Sequence, residues 1–199
     1  MGKNELKNRK TWQDTSGKNA GIAEKSFYDV FFKEFNASSD FQIRSKPKEF
    51  IDIYSTIELS KEVLADIYSP NETWKHGVIP DYAIDNIKTK KTLYVEVKRQ
   101  DGWVEEKPRS AGRGNAHERS CKLFTPGLLK ILRQYGKLGE NVLPFWVVYQ
   151  GDIARDPKRV REITCWFDKY SAHFFMWSNS ANDKPLIDHF NNKLKHLLT

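Results

Sequence analysis

Hydrophobic residues recur at helical spacing in several segments of this chain. The first such segment spans residues 20–35, and its apolar positions are Ile22, Phe27, Val30, Phe31 and Phe35. This spacing places them on one face and predicts an amphipathic helix. Serine, aspartate or proline at helix starts, and glycine or proline at helix ends, predict further helices. These cover residues 60–68, 126–135 and 185–198, with one more beginning at Pro157 after a capping Asp156.

A second pattern, strict alternation, predicts strands. From Thr92 to Lys98 the apolar positions alternate with polar or aromatic ones, which is typical of a half-buried strand. A second apolar stretch spans 78–87, and the turn-like residues 86–91 would join the two as a hairpin. The continuous apolar run 143–150 predicts a buried central strand. Residues 172–177 predict another strand, and residues 36–48 a loop or short strand.

Helices that alternate with strands around one sheet predict an α/β fold. The sheet should be mixed rather than fully parallel, because a hairpin joins antiparallel strands. The length of 199 residues predicts a single domain over residues 1–199. Residues 1–18 are polar and basic and are interpreted as an N-terminal arm. Its lysines either contact phosphates or belong to a solvated tail.

The charge balance points to a polyanionic partner. The formal net charge is +7 and the sequence pI is about 9.3, which fits nucleic acid without identifying it. Cys121 and Cys165 are interpreted as ordinary buried thiols, and no Cys or His spacing indicates zinc. The charged start lacks a signal-peptide pattern, and the longest apolar run is too short for a bilayer. We therefore expect a cytoplasmic protein without membrane contact.

The candidate catalytic chemistry lies on the predicted hairpin. Glu96 and Lys98 share one strand face, and Asp81 on the neighbouring strand can approach Glu96. Two carboxylates and the Val97 carbonyl are suitable ligands for Mg²⁺, which prefers oxygen and keeps several waters. Lys98 would position or deprotonate the attacking water, since a lysine near a metal and partly desolvated can have a lowered pKa. This set predicts metal-assisted phosphodiester hydrolysis; the alternative is a surface ion pair.

Two other features bear on this candidate site. Glu24 on the first predicted helix is a further candidate carboxylate near the metal, or else a plain surface acid. Side chains that read DNA base edges are concentrated further along the chain. They form the run Arg113, Gly114, Asn115, Ala116, His117, Glu118 and Arg119. Arginine pairs with guanine and asparagine with adenine, although a polar loop capping a helix near Asn115 would have the same composition.

These motifs resemble a known superfamily of nucleases. Pro80-Asp81 followed by Glu96-Val97-Lys98 resembles the PD-(D/E)XK pattern, and residues 112–119 resemble the recognition segment of the EcoRI and MunI families of restriction endonucleases. The similarity to the MunI family is the closer one. It extends through residues 99–105, 120–130, 143–148, 151–152 and 155–164, and is looser before Trp74.

The resemblance implies the restriction endonuclease-like fold, a central mixed five-stranded sheet flanked by helices. It implies a homodimeric Type II restriction endonuclease that cuts palindromic double-stranded CAATTG after the first C and leaves AATT ends. Asp81 and Glu96 would bind Mg²⁺, with Mn²⁺ as a substitute and Ca²⁺ supporting binding without cleavage. Lys98 would be catalytic. Residues 115–119 would read the inner AATT, and Arg113 the outer C·G pair.

Three other functions remain open from the residues alone. A repair or recombination nuclease on the same fold would cut without sequence preference. A non-catalytic DNA-binding regulator would not need acids beside a phosphate. A basic scaffold protein would bind DNA in a salt-dependent way without specificity.

Overall fold

The computed structural model describes residues 21–36, 40–69, 75–101 and 117–199. Five strands form one sheet in the order β1 to β5. They are β1 (Phe41–Ser45), β2 (Tyr82–Asn86), β3 (Thr92–Arg99), β4 (Phe145–Gln150) and β5 (Phe174–Trp177). The first three strands pair antiparallel, whereas β3–β4 and β4–β5 are parallel. The predicted mixed five-stranded sheet and its hairpin are confirmed.

Helices cover both faces of this sheet. Residues 21–36 form helix α1. The next are α2 (Lys61–Asp66), α3 (Pro126–Gly136), α4 (Pro157–Phe167), α5 (Lys184–His189) and α6 (Lys195–Leu198). A π-helical turn, Phe190–Leu194, joins α5 to α6. Short 3-10 helices span Glu118–Phe124, Asp152–Ala154 and Asp168–His173.

Local sequence signals account for the helix ends. Asp156 caps α4 by accepting from the backbone N–H of Lys158 and Arg159, as its predicted role requires. Ser60 caps α2 in the same way. Helix α2 ends at Asp66, earlier than the predicted Tyr68, and none of its residues is buried. Without packing on one face, a short helix gains little beyond its cap.

The alternation along the strands divides the core into two layers. Tyr82, Val95 and Val97 pack with α1 and the C-terminal helical residues on one side. Ala83 and Tyr94 pack with residues of α3 and α4 on the other side. Because strand side chains alternate, Glu96 and Lys98 project toward the α3–α4 side, as Tyr94 does. The sheet therefore fixes which helices surround the candidate site.

One prediction about local structure was wrong, and one predicted strand is shorter than expected. Both free cysteines, Cys121 and Cys165, are exposed rather than buried. The strand predicted from Ala172 begins only at Phe174, because the preceding residues form a 3-10 helix. Within the described ranges, no helix has the length and apolar character needed to cross a bilayer.

Candidate active site

Asp81 lies immediately before β2, one residue beyond the paired Tyr82 and Val95. Its carboxylate oxygen Oδ2 accepts a hydrogen bond from the backbone N–H of Val97, at 2.9 Å. The side chain thus satisfies a donor of β3 at the point where the antiparallel ladder ends. This bond holds the carboxylate beside β3, and Asp81 is only 6% exposed.

Glu96 and Asp81 converge on the ammonium group of Lys98. Lys98 Nζ lies 2.6 Å from Glu96 Oε2 and 3.8 Å from Asp81 Oδ2. Glu96 is 4% exposed, so both carboxylates are largely removed from water. The structure therefore brings together the three side chains that the sequence predicted as catalytic.

Two further lysines approach the acids from other parts of the chain. Lys46, directly after β1, places Nζ 2.7 Å from Asp81 Oδ1 and 2.9 Å from Glu24 Oε2. Lys122, in the 3-10 helix Glu118–Phe124, places Nζ 3.7 Å from Glu96 Oε1. Sequence patterns gave no signal for either contact, since both lysines are far from the acids along the chain.

Burial and charge act in opposite directions on the pKa values of the two acids. Burial alone would raise the pKa of Asp81, but the Lys98 charge and hydrogen bonds from Lys46 and the Val97 N–H lower it. Burial raises the pKa of Glu96; the charge of Lys98 opposes this rise and that of Asp81 adds to it. Asp81 is thus the firmly ionised member of the pair.

Burial and charge also act in opposite directions on the pKa of Lys98. Burial by itself lowers it, but the charges of Glu96 and Asp81 outweigh burial and raise it. The lowered pKa was predicted for a lysine beside a bound metal ion, and it stays a prediction. As an ammonium group, Lys98 can hold an anion or position a water.

The donor set is compatible with a hard divalent cation. Among the described residues, no group of three or more His, Cys, Asp or Glu side chains could hold a metal ion. The candidate ligands are the carboxylates of Asp81 and Glu96, and Lys46 links Glu24 to Asp81. Mg²⁺ is commonly bound by one or two carboxylates together with waters and substrate phosphate, so the residues present fit such an ion.

The described part of the predicted recognition segment lies next to this site. Glu118 and Arg119 are exposed, whereas Ser120 is fully buried. Ser120 Oγ donates to the His117 carbonyl and lies 2.9 Å from the Tyr149 hydroxyl on β4. This contact ties the start of the 3-10 helix to the central sheet. Arg113, Gly114, Asn115 and Ala116 lie outside the described residues.

His117 occupies an unexpected position for a base-reading side chain. It is 1% exposed, and its ring stacks on Trp166 of α4 with centroids 5.5 Å apart and planes at 3°. Its Nε2 lies 3.5 Å from Glu162 Oε2. Burial lowers the pKa of His117. In this structure the imidazole joins the segment to α4.

The fold and the site together define a nuclease of the restriction endonuclease class. A family model described as Type II restriction enzyme MunI matches residues 1–199. The curated Type II restriction enzyme MunI from Mycoplasma sp is 50% identical over 202 residues, covering 100% of both chains. A crystal structure of MunI restriction endonuclease in complex with cognate DNA is 49% identical, with a TM-score of 0.80 over 94% of this chain and 97% of that one.

The chain belongs to the MunI family of Type II restriction enzymes. It is a site-specific endonuclease that hydrolyses DNA phosphodiester bonds, and its family membership implies dependence on a divalent metal ion.

Proposed function

We propose that this endonuclease acts in the cytoplasm as a homodimer on the palindrome CAATTG, cutting after the first C with Mg²⁺ at Asp81 and Glu96. The observation that supports the catalytic part is the convergence of both carboxylates on Lys98 Nζ. The proposed target rests on residues 112–119 and on the similarity to MunI.

Asp81, Glu96 and the Val97 carbonyl would hold the ion. A divalent cation there would act as a Lewis acid that stabilises negative charge on the scissile phosphate. Asp81 is suited to this role because the Val97 N–H fixes its Oδ2 and its pKa is lowered. Both acids are buried enough for their interactions with a cation to be stronger than in water.

Lys98 would orient the reacting groups. Its ammonium group lies on the same strand face as Glu96, two residues away, and is 19% exposed. An ammonium in this position can donate to a phosphate oxygen or to the attacking water. Val97, between these two residues, packs its side chain into the opposite core layer, so β3 holds the pair at a fixed spacing.

Arg113, Gly114, Asn115, Ala116, His117, Glu118 and Arg119 form the proposed DNA-reading segment. Two observations support this assignment. Glu118 and Arg119 are exposed, and Arg119 lies on the same 3-10 helix as Lys122, whose Nζ lies 3.7 Å from Glu96 Oε1. A palindrome is read most simply by a two-fold dimer, with one segment on each half-site.

Plasmid cleavage followed by sequencing of the new ends tests this function. With Mg²⁺ we expect breaks at CAATTG with AATT single strands, and no cutting without a divalent ion. Breaks at junctions or damage without sequence preference would instead support a repair nuclease. Intact plasmid with sequence-specific binding would support a regulator, and salt-dependent binding alone a scaffold protein.

Replacing Asp81 separates cutting from binding. Asp81→Ala should abolish cleavage while keeping or sharpening specific binding, because it removes a negative charge that faces the phosphate. Ca²⁺ should sharpen binding by the wild type for the same reason. Gel-shift titrations on CAATTG and scrambled duplexes measure both effects. Loss of binding in a folded Asp81→Ala protein would assign Asp81 a structural role.

A further inference from the structure

We propose that Lys46 is a positioning residue whose ammonium group a divalent cation must displace from Asp81, and that Glu24 retains this group once it is displaced. The inference rests on the proposed metal site. It gives roles to two residues outside the catalytic motif, and it makes Glu24 a partner of Lys46 rather than a metal ligand.

The two oxygens of Asp81 have different partners. Oδ2 accepts from the Val97 N–H and faces Lys98. Oδ1 accepts from Lys46 Nζ at 2.7 Å. Oδ2 already accepts from the backbone of β3 and faces Lys98 Nζ. A cation that binds Asp81 through Oδ1 would compete with Lys46 for the lone pairs of that oxygen.

The backbone places Lys46 for this role. Its N–H donates to the Asp81 carbonyl at 2.9 Å, one residue beyond the last β1–β2 pair. Lys46 has φ of +47°, a conformation that L side chains adopt at a cost. A lysine therefore occupies a position that favours glycine. Lys46 binds Asp81 twice, through its backbone N–H to the Asp81 carbonyl and through its side chain to the Asp81 carboxylate.

Glu24 provides the alternative partner. It projects from α1 and accepts from Lys46 Nζ at 2.9 Å, so the ammonium group already contacts both acids. The Lys46 side chain is 49% exposed, so it can move from Asp81 without leaving water. The exchange breaks one ion pair and retains the other.

Metal binding to the protein alone tests this arrangement without relying on any DNA target. The probe is Mn²⁺, followed by the electron paramagnetic resonance signal of the free ion, with the full-length chain at 0.15 M salt. Lys46→Met keeps the length of the side chain and removes its charge. It should bind Mn²⁺ about three- to tenfold more tightly, as expected for loss of a half-exposed competing charge.

Glu24→Gln distinguishes a Lys46 partner from a metal ligand. In the wild-type background it should weaken Mn²⁺ binding about two- to threefold, because Lys46 then has Asp81 as its remaining carboxylate partner. In the Lys46→Met background the weakening should be smaller, because only the screened through-space charge of Glu24 then acts on the ion. Glu34→Gln is the matched control, since it lies about 15 Å further along α1, beyond the Debye length of about 8 Å at this salt.

Each outcome decides the inference. Equal weakening by Glu24→Gln in both backgrounds would make Glu24 a ligand and overturn it. Unchanged or weaker Mn²⁺ binding in a folded Lys46→Met protein, checked by circular dichroism, would also overturn it. If neither the wild type nor Lys46→Met binds Mn²⁺, both this inference and the proposed metal site fail. If the wild type binds Mn²⁺ and Asp81→Ala does not, the proposed metal site holds whatever the result for Lys46→Met.

Discussion

The contact between Ser120 and Tyr149 should couple DNA reading to DNA cutting. Ser120 Oγ donates to the His117 carbonyl. Its single proton is then used, so the Tyr149 hydroxyl must be the donor in the 2.9 Å contact between them. Both residues are 0% exposed. The bond joins β4 to the 3-10 helix that carries Glu118, Arg119 and Lys122.

The direction of this hydrogen bond makes the two single variants unequal. Tyr149→Phe removes the donor but leaves Ser120 bonded to the His117 carbonyl, so it should cost about 0.5–1.5 kcal/mol. Ser120→Ala leaves the Tyr149 hydroxyl buried without an acceptor, which costs about 1–3 kcal/mol. The His117 carbonyl still accepts from the Ser120 N–H. The double variant should cost less than the sum, since both polar partners are then removed.

Thermal unfolding and single-turnover cleavage measure the two parts of this prediction. A loss of about 2 kcal/mol in a chain of this size lowers Tm by about 4–8 °C. At a temperature well below the Tm of the variant, where it is fully folded, Ser120→Ala should still cut CAATTG more slowly than the wild type. It should also discriminate less against a site with one changed base. Equal and additive losses of stability would refute the assigned hydrogen bond. Lower stability with unchanged discrimination would refute the coupling.

Three other changes test separate features of the molecule. Arg113→Ala should cost about 1–3 kcal/mol of discrimination at the outer C·G pair, measured by competition binding, and an undiminished preference would refute the assignment. Burial alone would raise the pKa of Asp85, but hydrogen bonds from Arg44 and other donors lower it. Asp85 therefore contributes stability above its unfolded pKa of about 3.9, and this contribution is lost as pH falls below that value. Asp85→Asn should therefore destabilise by about 1.5–3 kcal/mol at pH 7 and converge with the wild type in acid denaturation, and a constant difference would contradict this. Burial lowers the pKa of His173 to about 4, so its stability contribution is present above about pH 6.5 and is lost as pH falls through that value toward 4. His173→Gln should reduce the change in the free energy of unfolding between about pH 6.5 and 4 by up to about 3 kcal/mol, as measured by urea unfolding. An unchanged pH dependence would exclude His173 as its cause.

The local patterns that predicted structure correctly were those with a strong period. The alternation in residues 92–98 fixed both the strand and the shared face of Glu96 and Lys98. The turn residues 86–91 fixed the hairpin, and the hairpin brought Asp81 to β3. The helical spacing in residues 20–35 corresponds to α1. In each case the signal and the structure lie within the same short stretch.

The features that sequence reasoning missed depend on contacts between distant segments. Lys46 reaches Asp81 because β1 pairs with β2, and neither the pairing nor the positive φ of Lys46 leaves a pattern in the sequence. His117 is buried because Trp166 of α4 stacks on it. Such contacts follow from tertiary packing, which overrides local expectation.

Charge compensation explains how two buried carboxylates can lie together in this site. Two carboxylates this deeply buried would repel each other and lose hydration, a combination that favours protonation or local opening. Ammonium groups from the end of β1, from β3 and from the 3-10 helix Glu118–Phe124 offset that cost. In the proposed mechanism, a divalent cation at Asp81 and Glu96 would take over part of this compensation, while Lys46 would stay paired with Glu24.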